Sequence, residues 1–489
     1  MSGQKLRYNR SFLQKQESRK SKEKTGFPLK NCGNDGNISN VFLLIIFLLI
    51  FSLTVFFIHN AYAVEYSLED LYEIALERSE RIKISEEDLF IAEMGKDKAR
   101  AALLPKLSGF GNYTRYTENK YSSSGTLTQP DDSKSWGMRL DQSFTLSGRE
   151  VTGFSISKEN IEKNKYELHA VKEEYLLGVS AAYYEVLRAK KALDIMKANV
   201  ERLTKHRDAA NIRLKVGEVT KTALLRAEAE LSGAQSEEIR AKNALDIARV
   251  VLARIVGING SYDIKETAGS SQHAVNSKGI EPLESLKQTA LSERAELKSL
   301  GLQKKIGEAQ IRYVYGSYWP TLSVEGVYSR KDEDPAASTL NKESAYGGLK
   351  INIPIFEGGL RAAEVKEAEA KFRQAALIYE DKKKTIYIEV ENAYLDLITQ
   401  KGITEKFEAQ TAYATDNYKA VSKQFEHGLA NSIDVMDANT LLVTAERQLS
   451  DAKYSYQLSI LRLKRSTGML LKTINSTKST VVSQKIEDK

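Results

Sequence analysis

The strongest regularity in the chain is a seven-residue seam of alternating large and small side chains that occurs twice. In the first copy the large positions are Leu224, Leu231, Glu238, Leu245 and Leu252, and the small ones Ala227, Ala234, Ala241, Ala248 and Ile255. At an offset of 211 residues stand Val435, Leu442, Leu449, Tyr456 and Leu463, then Ala438, Ala445, Ala452, Ser459 and Ser466. A heptad sustained this long predicts helices packed side by side in a left-handed supercoil. Gly217 answers to Gly428, Ala182-Tyr183 to Ala393-Tyr394 and Gly257 to Gly468 at the same offset. The 489 residues therefore predict one body made of two similar halves, not a row of separate domains.

Other periods fill in each half. Ser67 caps a predicted helix that runs to about Leu104, where Pro105 stops it. Residues 106–121 are rich in Tyr, Thr and Gly, and Trp136, Met138 and Leu140 alternate with Gly137, Arg139 and Asp141. This is the period of strands with one apolar and one polar face, joined by a polar loop at Ser122–Ser133. In the second half a helix runs from Pro282 to Tyr318. Leu322, Val324, Gly326 and Tyr328 then alternate with Thr321, Ser323 and Glu325. Leu349, Ile351, Ile353 and Ile355 continue the alternation beyond a loop at 331–343. The strands end in turns at Gly148 and at Gly358-Gly359, where glycine permits a sharp passage into helix.

Behind each turn lies a helical stretch, 148–214 and 358–425, that would reach about 100 Å at 1.5 Å per residue. Each ends at a glycine loop (Val216-Gly217-Glu218 and His427-Gly428-Leu429) and doubles back as the heptad helix. The predicted organisation is a leader at 1–63, a first repeat at 64–257 and a Gly/Ser/Asn-rich linker at 258–281. A second repeat at 282–471 and a polar tail at 472–489 complete it.

Composition changes one part of this picture. Residues 41–58 form an 18-residue run without a charge, after a basic segment and before Ala61-Tyr62-Ala63. That order reads as a secretory signal cleaved after Ala63, although an apolar run of this length is also a marginal membrane anchor. Cys32, the only cysteine, precedes the run, so the mature chain would hold none, which suits an oxidising compartment. Of the net charge of +7, +6 resides in the leader, where nine Lys/Arg face three Asp/Glu; the remainder sums to +1. A nucleic-acid-binding surface thus finds no support in the body of the protein.

Four amphipathic strands of 10–15 residues are long enough to cross a membrane when tilted. Four cannot close a barrel, which takes about eight or more, and an open edge in lipid strands backbone donors and acceptors. In a membrane, two or three copies would supply eight or twelve strands. The alternative is an ordinary soluble sheet beside a coiled coil. The 24 tyrosines, among them Tyr113, Tyr116, Tyr121 and Tyr328, fit the interfacial girdle of a barrel as well as plain strand propensity.

From Val64 to Leu470 the sequence resembles the TolC-like outer-membrane efflux proteins. The resemblance rests on the strand–glycine–helix turns, on Val216-Gly217-Glu218-Val219-Thr220, and on His427-Gly-Leu-Ala-Asn-Ser-Ile-Asp434-Val-Met-Asp437-Ala438. It implies a membrane α+β fold, in which a homotrimer shares a twelve-stranded outer-membrane barrel continued by a long α-helical coiled-coil tunnel through the periplasm. The long helices would be staves of that tunnel, and each short helix pair would stack end to end to match one stave. Gly217, Glu218, Val219 and Thr220, with Gly428, Leu429, Ala430 and Asn431, would be the tips that meet the adaptor protein of an inner-membrane pump.

Asp434 and Asp437 match the two family aspartates that line the narrow periplasmic mouth. Their i, i+3 spacing puts them on one helix face, and three copies would gather six carboxylates, which attract cations. Spacing alone favours two solvated acids in the first turns of a helix, where Asp favours the dipole, and it is the match to the family motif that favours the mouth. The family often has an arginine two residues after the tip glycine that helps to latch the closed state; here that residue is Ala430.

No catalytic constellation, metal-binding spacing or cofactor motif emerges. His59, His169, His206, His273 and His427 are scattered, and the pattern reads them as solvated. Two classes of function remain: a passive exit duct for an efflux pump or a type I secretion system, or a periplasmic coiled-coil protein held by an uncleaved leader. The sequence does not name a cargo.

Overall fold

The computed structural model describes residues 64–266, 281–338 and 340–474. The expected signal at 41–58, its cleavage at Ala63, Cys32, His59 and His273 lie outside the described residues.

The first repeat opens with β1 (Val64–Tyr66), α1 (Leu68–Arg78) and α2 (Glu80–Ala101). Its strands β2 (Lys106–Arg115) and β5 (Asp132–Thr145) enclose a small hairpin, β3 (Lys120–Tyr121) and β4 (Leu127–Gln129). Then come α3 (Arg149–Lys215), α4 (Lys221–Val256) and β6 (Tyr262–Ile264). The second repeat has α5 (Leu283–Glu293), α6 (Ala295–Tyr315), β7 (Thr321–Asp334), β8 (Glu343–Asn352), α7 (Leu360–Glu426) and α8 (Ser432–Ser466).

Six expectations are corrected by this layout. The helix expected over Ser67–Leu104 is two helices, broken at Ser79. Ser79 takes an extended conformation, and its side chain accepts from the Ile82 N–H to cap α2. The helix expected from Pro282 breaks likewise at Arg294, with nearly the same dihedrals. The strand expected over 106–121 ends at Arg115, and the polar loop after it holds β3 and β4. The linker is partly built into the fold, since Val64–Tyr66 pairs in parallel with Tyr262–Ile264, and helix continues through residue 474 in the expected tail. Finally, the offset between the repeats is not constant. It is 215 residues from Leu68 to Leu283 and 211 from Arg149 to Leu360, because the first hairpin is the longer one.

β2, β5, β7 and β8 form one antiparallel sheet in that order. The register places Leu107, Trp136, Met138, Leu140, Val324, Tyr328, Leu349 and Ile351 on one face. All eight are exposed. Lys106, Arg139, Asp141, Ser143, Ser323, Glu325 and Lys350 lie on the other face.

Gly148 and Gly359 cap α3 and α7 from the left-handed region, at φ 70° and 86°. Carboxylates secure both turns. Glu150 accepts from the Thr145 N–H and hydroxyl at 3.0 and 2.8 Å, and Glu357 pairs with Arg361. The long helices then run side by side. Beyond the sheet α2 packs on α3, α3 on α6 and α6 on α7; farther along, the order becomes α4, α3, α8, α7. The heptad seam lies inside, with Ala227, Leu231, Leu252, Leu442 and Ala445 all buried. Each such leucine contributes about 1.5–3 kcal/mol by leaving water.

The short helices meet the long ones at two buried clusters. One gathers Leu71, Tyr72, Leu176, Val179, Tyr183, Leu252, Ile264, Leu461 and Leu470. Beside the other, Arg294 is 1% exposed. Its guanidinium donates to Glu296 at 2.9 and 3.2 Å and to Glu389. Arg465 donates to Glu296 at 2.7 Å. Burial opposes ionisation of Glu296, but Arg294 and Arg465 outweigh it and hold the carboxyl at about 2.

Candidate functional site

The two hairpin tips lie where α3 turns into α4 and α7 into α8. Their backbones follow the same course, because glycine occupies the left-handed position in each: Gly217 at φ 81° and Gly428 at 77°. At the first tip Gly217 and Glu218 N–H groups donate to Leu214 and Arg213 carbonyls, at 3.1 and 2.9 Å. At the second, Gly428 and Leu429 donate to Phe425 and Gln424, at 3.1 and 2.8 Å. These bonds satisfy the last carbonyls of the long helices. Thr220 then caps α4, its hydroxyl accepting from the Ala223 N–H at 3.4 Å.

Asn431 caps α8 more completely. Its side chain accepts from the Ile433 and Asp434 N–H groups at 2.8 and 3.0 Å, and Asp434 accepts in return from the Asn431 N–H at 3.0 Å. Asp434 is thus the third-position acid of a capping box, one carboxylate oxygen committed to its own helix. Asp437 is exposed and has no ion pair among the described residues. Val219 and Ala430 are half-buried, whereas Glu218, Leu429 and Asn431 are exposed.

The second tip is also clasped to the first repeat by contacts that sequence reasoning missed. His206 on α3 is buried, contrary to its reading as solvated. Its Nε2 lies 2.8 Å from the hydroxyl of Ser432, and its ring 4.8 Å from that of Phe425. Arg213 covers the other ring contact of Phe425 at 4.5 Å and donates to the Glu426 carbonyl at 2.6 Å. Farther along, Arg202 reaches Asn439 at 3.0 Å and Glu446 at 3.2 Å. Asn439 donates to Asn199 at 2.7 Å. The hydrogen-bonded partners are 213–244 residues apart in the chain, so no local pattern marks them.

Three comparisons bear on this arrangement. The pattern of the family described as "Outer membrane efflux protein" matches residues 71–258 and 286–469, which is most of both repeats. The chain belongs to that family. Among its relatives is the outer membrane protein TolC of Escherichia coli, 25% identical over 416 residues that make up 83% of this chain and 82% of TolC. The alkaline protease secretion protein AprF of Pseudomonas aeruginosa is 23% identical over 422 residues, 82% of this chain and 84% of that protein. The crystal structure of CusC superposes with a TM-score of 0.73 at 18% identity, covering 83% of this chain and 93% of CusC.

This family member is accordingly an outer-membrane channel protein of the efflux and secretion class, with a sheet for the membrane and a helical part for the periplasm. Among the described residues no helix is long and apolar enough to cross a membrane; the apolar face belongs to the four-stranded sheet.

Proposed function

We propose that three copies of this chain form the passive exit duct of a tripartite efflux or type I secretion system. The carrying observation is that the subunit is open at both flanks. β2 and β8 each have one neighbour in the sheet, and lipid does not tolerate such edges. Three copies joined β8 to β2 give twelve strands and no edge. The helices repeat the argument. α4 and α7 lie at opposite ends of their layer, and each presents exposed apolar residues outward: Ile239, Ile247 and Val250 on α4, Leu377, Ile388 and Leu395 on α7. A face on one flank that fits a different face on the other closes into a ring by rotation.

In this reading the tips Gly217–Thr220 and Gly428–Asn431 receive a periplasmic adaptor, through which an inner-membrane pump delivers the cargo. The exposed Val216 and Leu429 supply apolar contact there. Relatives bear names as different as alkaline protease secretion and cation efflux, so the pump, not the duct, selects the cargo.

Mass measurement after mild detergent extraction tests the assembly. We expect three copies, and a monodisperse monomer with an intact sheet would refute the duct. Val250→Glu combined with Ile388→Glu should leave the helical content unchanged and prevent the ring from closing.

A further inference from the structure

The two tips share a backbone course but carry opposite charge. In the window 213–226 the first tip has Arg213, Lys215, Lys221 and Arg226 against Glu218, a net charge of +3. The matching window, 424–437, has Glu426, Asp434 and Asp437 and no lysine or arginine, a net charge of −3. At two positions the offset of 211 sets opposite charges against each other: Lys215 answers to Glu426, and Arg226 to Asp437.

Several of these groups are engaged within the subunit. Arg213 holds the Glu426 carbonyl and the ring of Phe425, and Asp434 caps its own helix. Arg226 and Asp437 are both exposed, and neither has an ion pair among the described residues. They occupy the same flank of α4 and α8, each one residue before the small seam residue, Ala227 and Ala438, that packs into its coiled coil.

We propose that Arg226 and Asp437 latch the periplasmic mouth as an alternating ionic ring. The inference rests on the trimeric reading above. With three copies, six equivalent hairpins surround the axis, and the position bearing Asp437 on three of them bears Arg226 on the other three. Each carboxylate then lies between two guanidinium groups, and closing the mouth brings opposite charges together. This supplies the closing attraction for which Ala430, at the tip itself, has no charge. One exposed pair is worth only about 0.2–1 kcal/mol. A closed ring of six charges sums several such contacts in a narrowing space, and salt screens it.

Charge reversal tests the ring. Wild type, Arg226→Asp, Asp437→Arg and the double reversal are each purified as trimers and compared in planar bilayers at low and high potassium chloride. Either single reversal places six like charges at one level and should raise the resting conductance several-fold. The double reversal restores alternation and should return conductance to the wild-type level. High salt should raise the conductance of the wild type and of the double reversal. Single reversals that conduct like wild type, or a double reversal as open as the singles, would overturn the latch while leaving the duct standing. A wild-type trimer that forms no pore would sink the duct and the latch with it.

Discussion

His206 Nε2 lies 2.8 Å from the hydroxyl of Ser432, and this bond docks the first turn of α8 onto the long helix of the other repeat. The imidazole is 6% exposed, and burial lowers its pKa below the ordinary 6.5. Arg202 and Arg213 flank it on α3, Arg213 reaching Phe425 and Glu426. Freed from the clasp, the ring takes a proton near 6.5; docked, it takes one only at lower pH. The docked state therefore keeps its full stability above the ordinary value and loses it as pH falls toward the lowered one. Conductance of the trimer should rise on acidification through this window, and His206→Leu should flatten the response. An unaltered pH profile in that variant would remove the histidine from the account.

Glu296 lies between Arg294 and Arg465, and its substitution leaves the buried Arg294 guanidinium with Glu389 as its one carboxylate partner. Glu296→Ala should destabilise the subunit by about 1.5–3 kcal/mol, the contribution of hydrogen bonds to charged groups, since Arg294 keeps Glu389. The carboxyl titrates at about 2 in the folded chain against an ordinary 4.5. Its stabilising contribution is thus complete above 4.5 and disappears as pH falls toward 2. Thermal unfolding of wild type and variant at pH 7 and pH 3 should show the gap between them narrowing in acid.

Glycine replacements should separate backbone strain from crowding. A Cβ at Gly217 meets nothing within 4 Å, so Gly217→Ala costs only its left-handed conformation, about 1–2 kcal/mol. Gly468 shares that conformation, but a Cβ there would come within 3.0 Å of the Arg294 N and the Glu293 carbonyl carbon. Gly468→Ala should therefore lower the melting temperature more than Gly217→Ala. Equal effects would mean that the Arg294 turn yields freely.

The mouth acids should be visible through ion block. If Asp434 and Asp437 face the axis, trivalent cations block the channel, and Asp434→Asn with Asp437→Asn relieves the block. Arg226→Gln removes the opposing charge and should strengthen it. A helix-capping role alone predicts instead a loss of about 0.3–1 kcal/mol at Asp434 and an unchanged blocking affinity. Bilayer conductance against trivalent-cation concentration distinguishes the two.

The elements were legible where the pattern is local. The heptad seam announced α4 and α8, the two-residue alternation announced β2, β5, β7 and β8, and the tip glycines marked where the helices double back. The breaks at Ser79 and Arg294 escaped notice, since each falls inside a continuous helical pattern and is held by burial against other helices. The pairing of β1 with β6 escaped for a similar reason: each strand has only three residues, and they lie 198 positions apart.

The sequence by itself determined the repeat, the type of each long element, the amphipathic strands and the inverted charge of the two tips. All of these follow from residue spacing, and spacing is fixed before the chain folds. Only the tertiary structure decided which charged and polar groups are spent. Asp434 is taken by its own cap, His206 and Arg213 by the clasp, and Arg294 by two carboxylates, while Arg226 and Asp437 have no ion pair among the described residues. Burial and hydrogen-bond partners depend on which distant segments pack together, and that information is absent from any window along the chain.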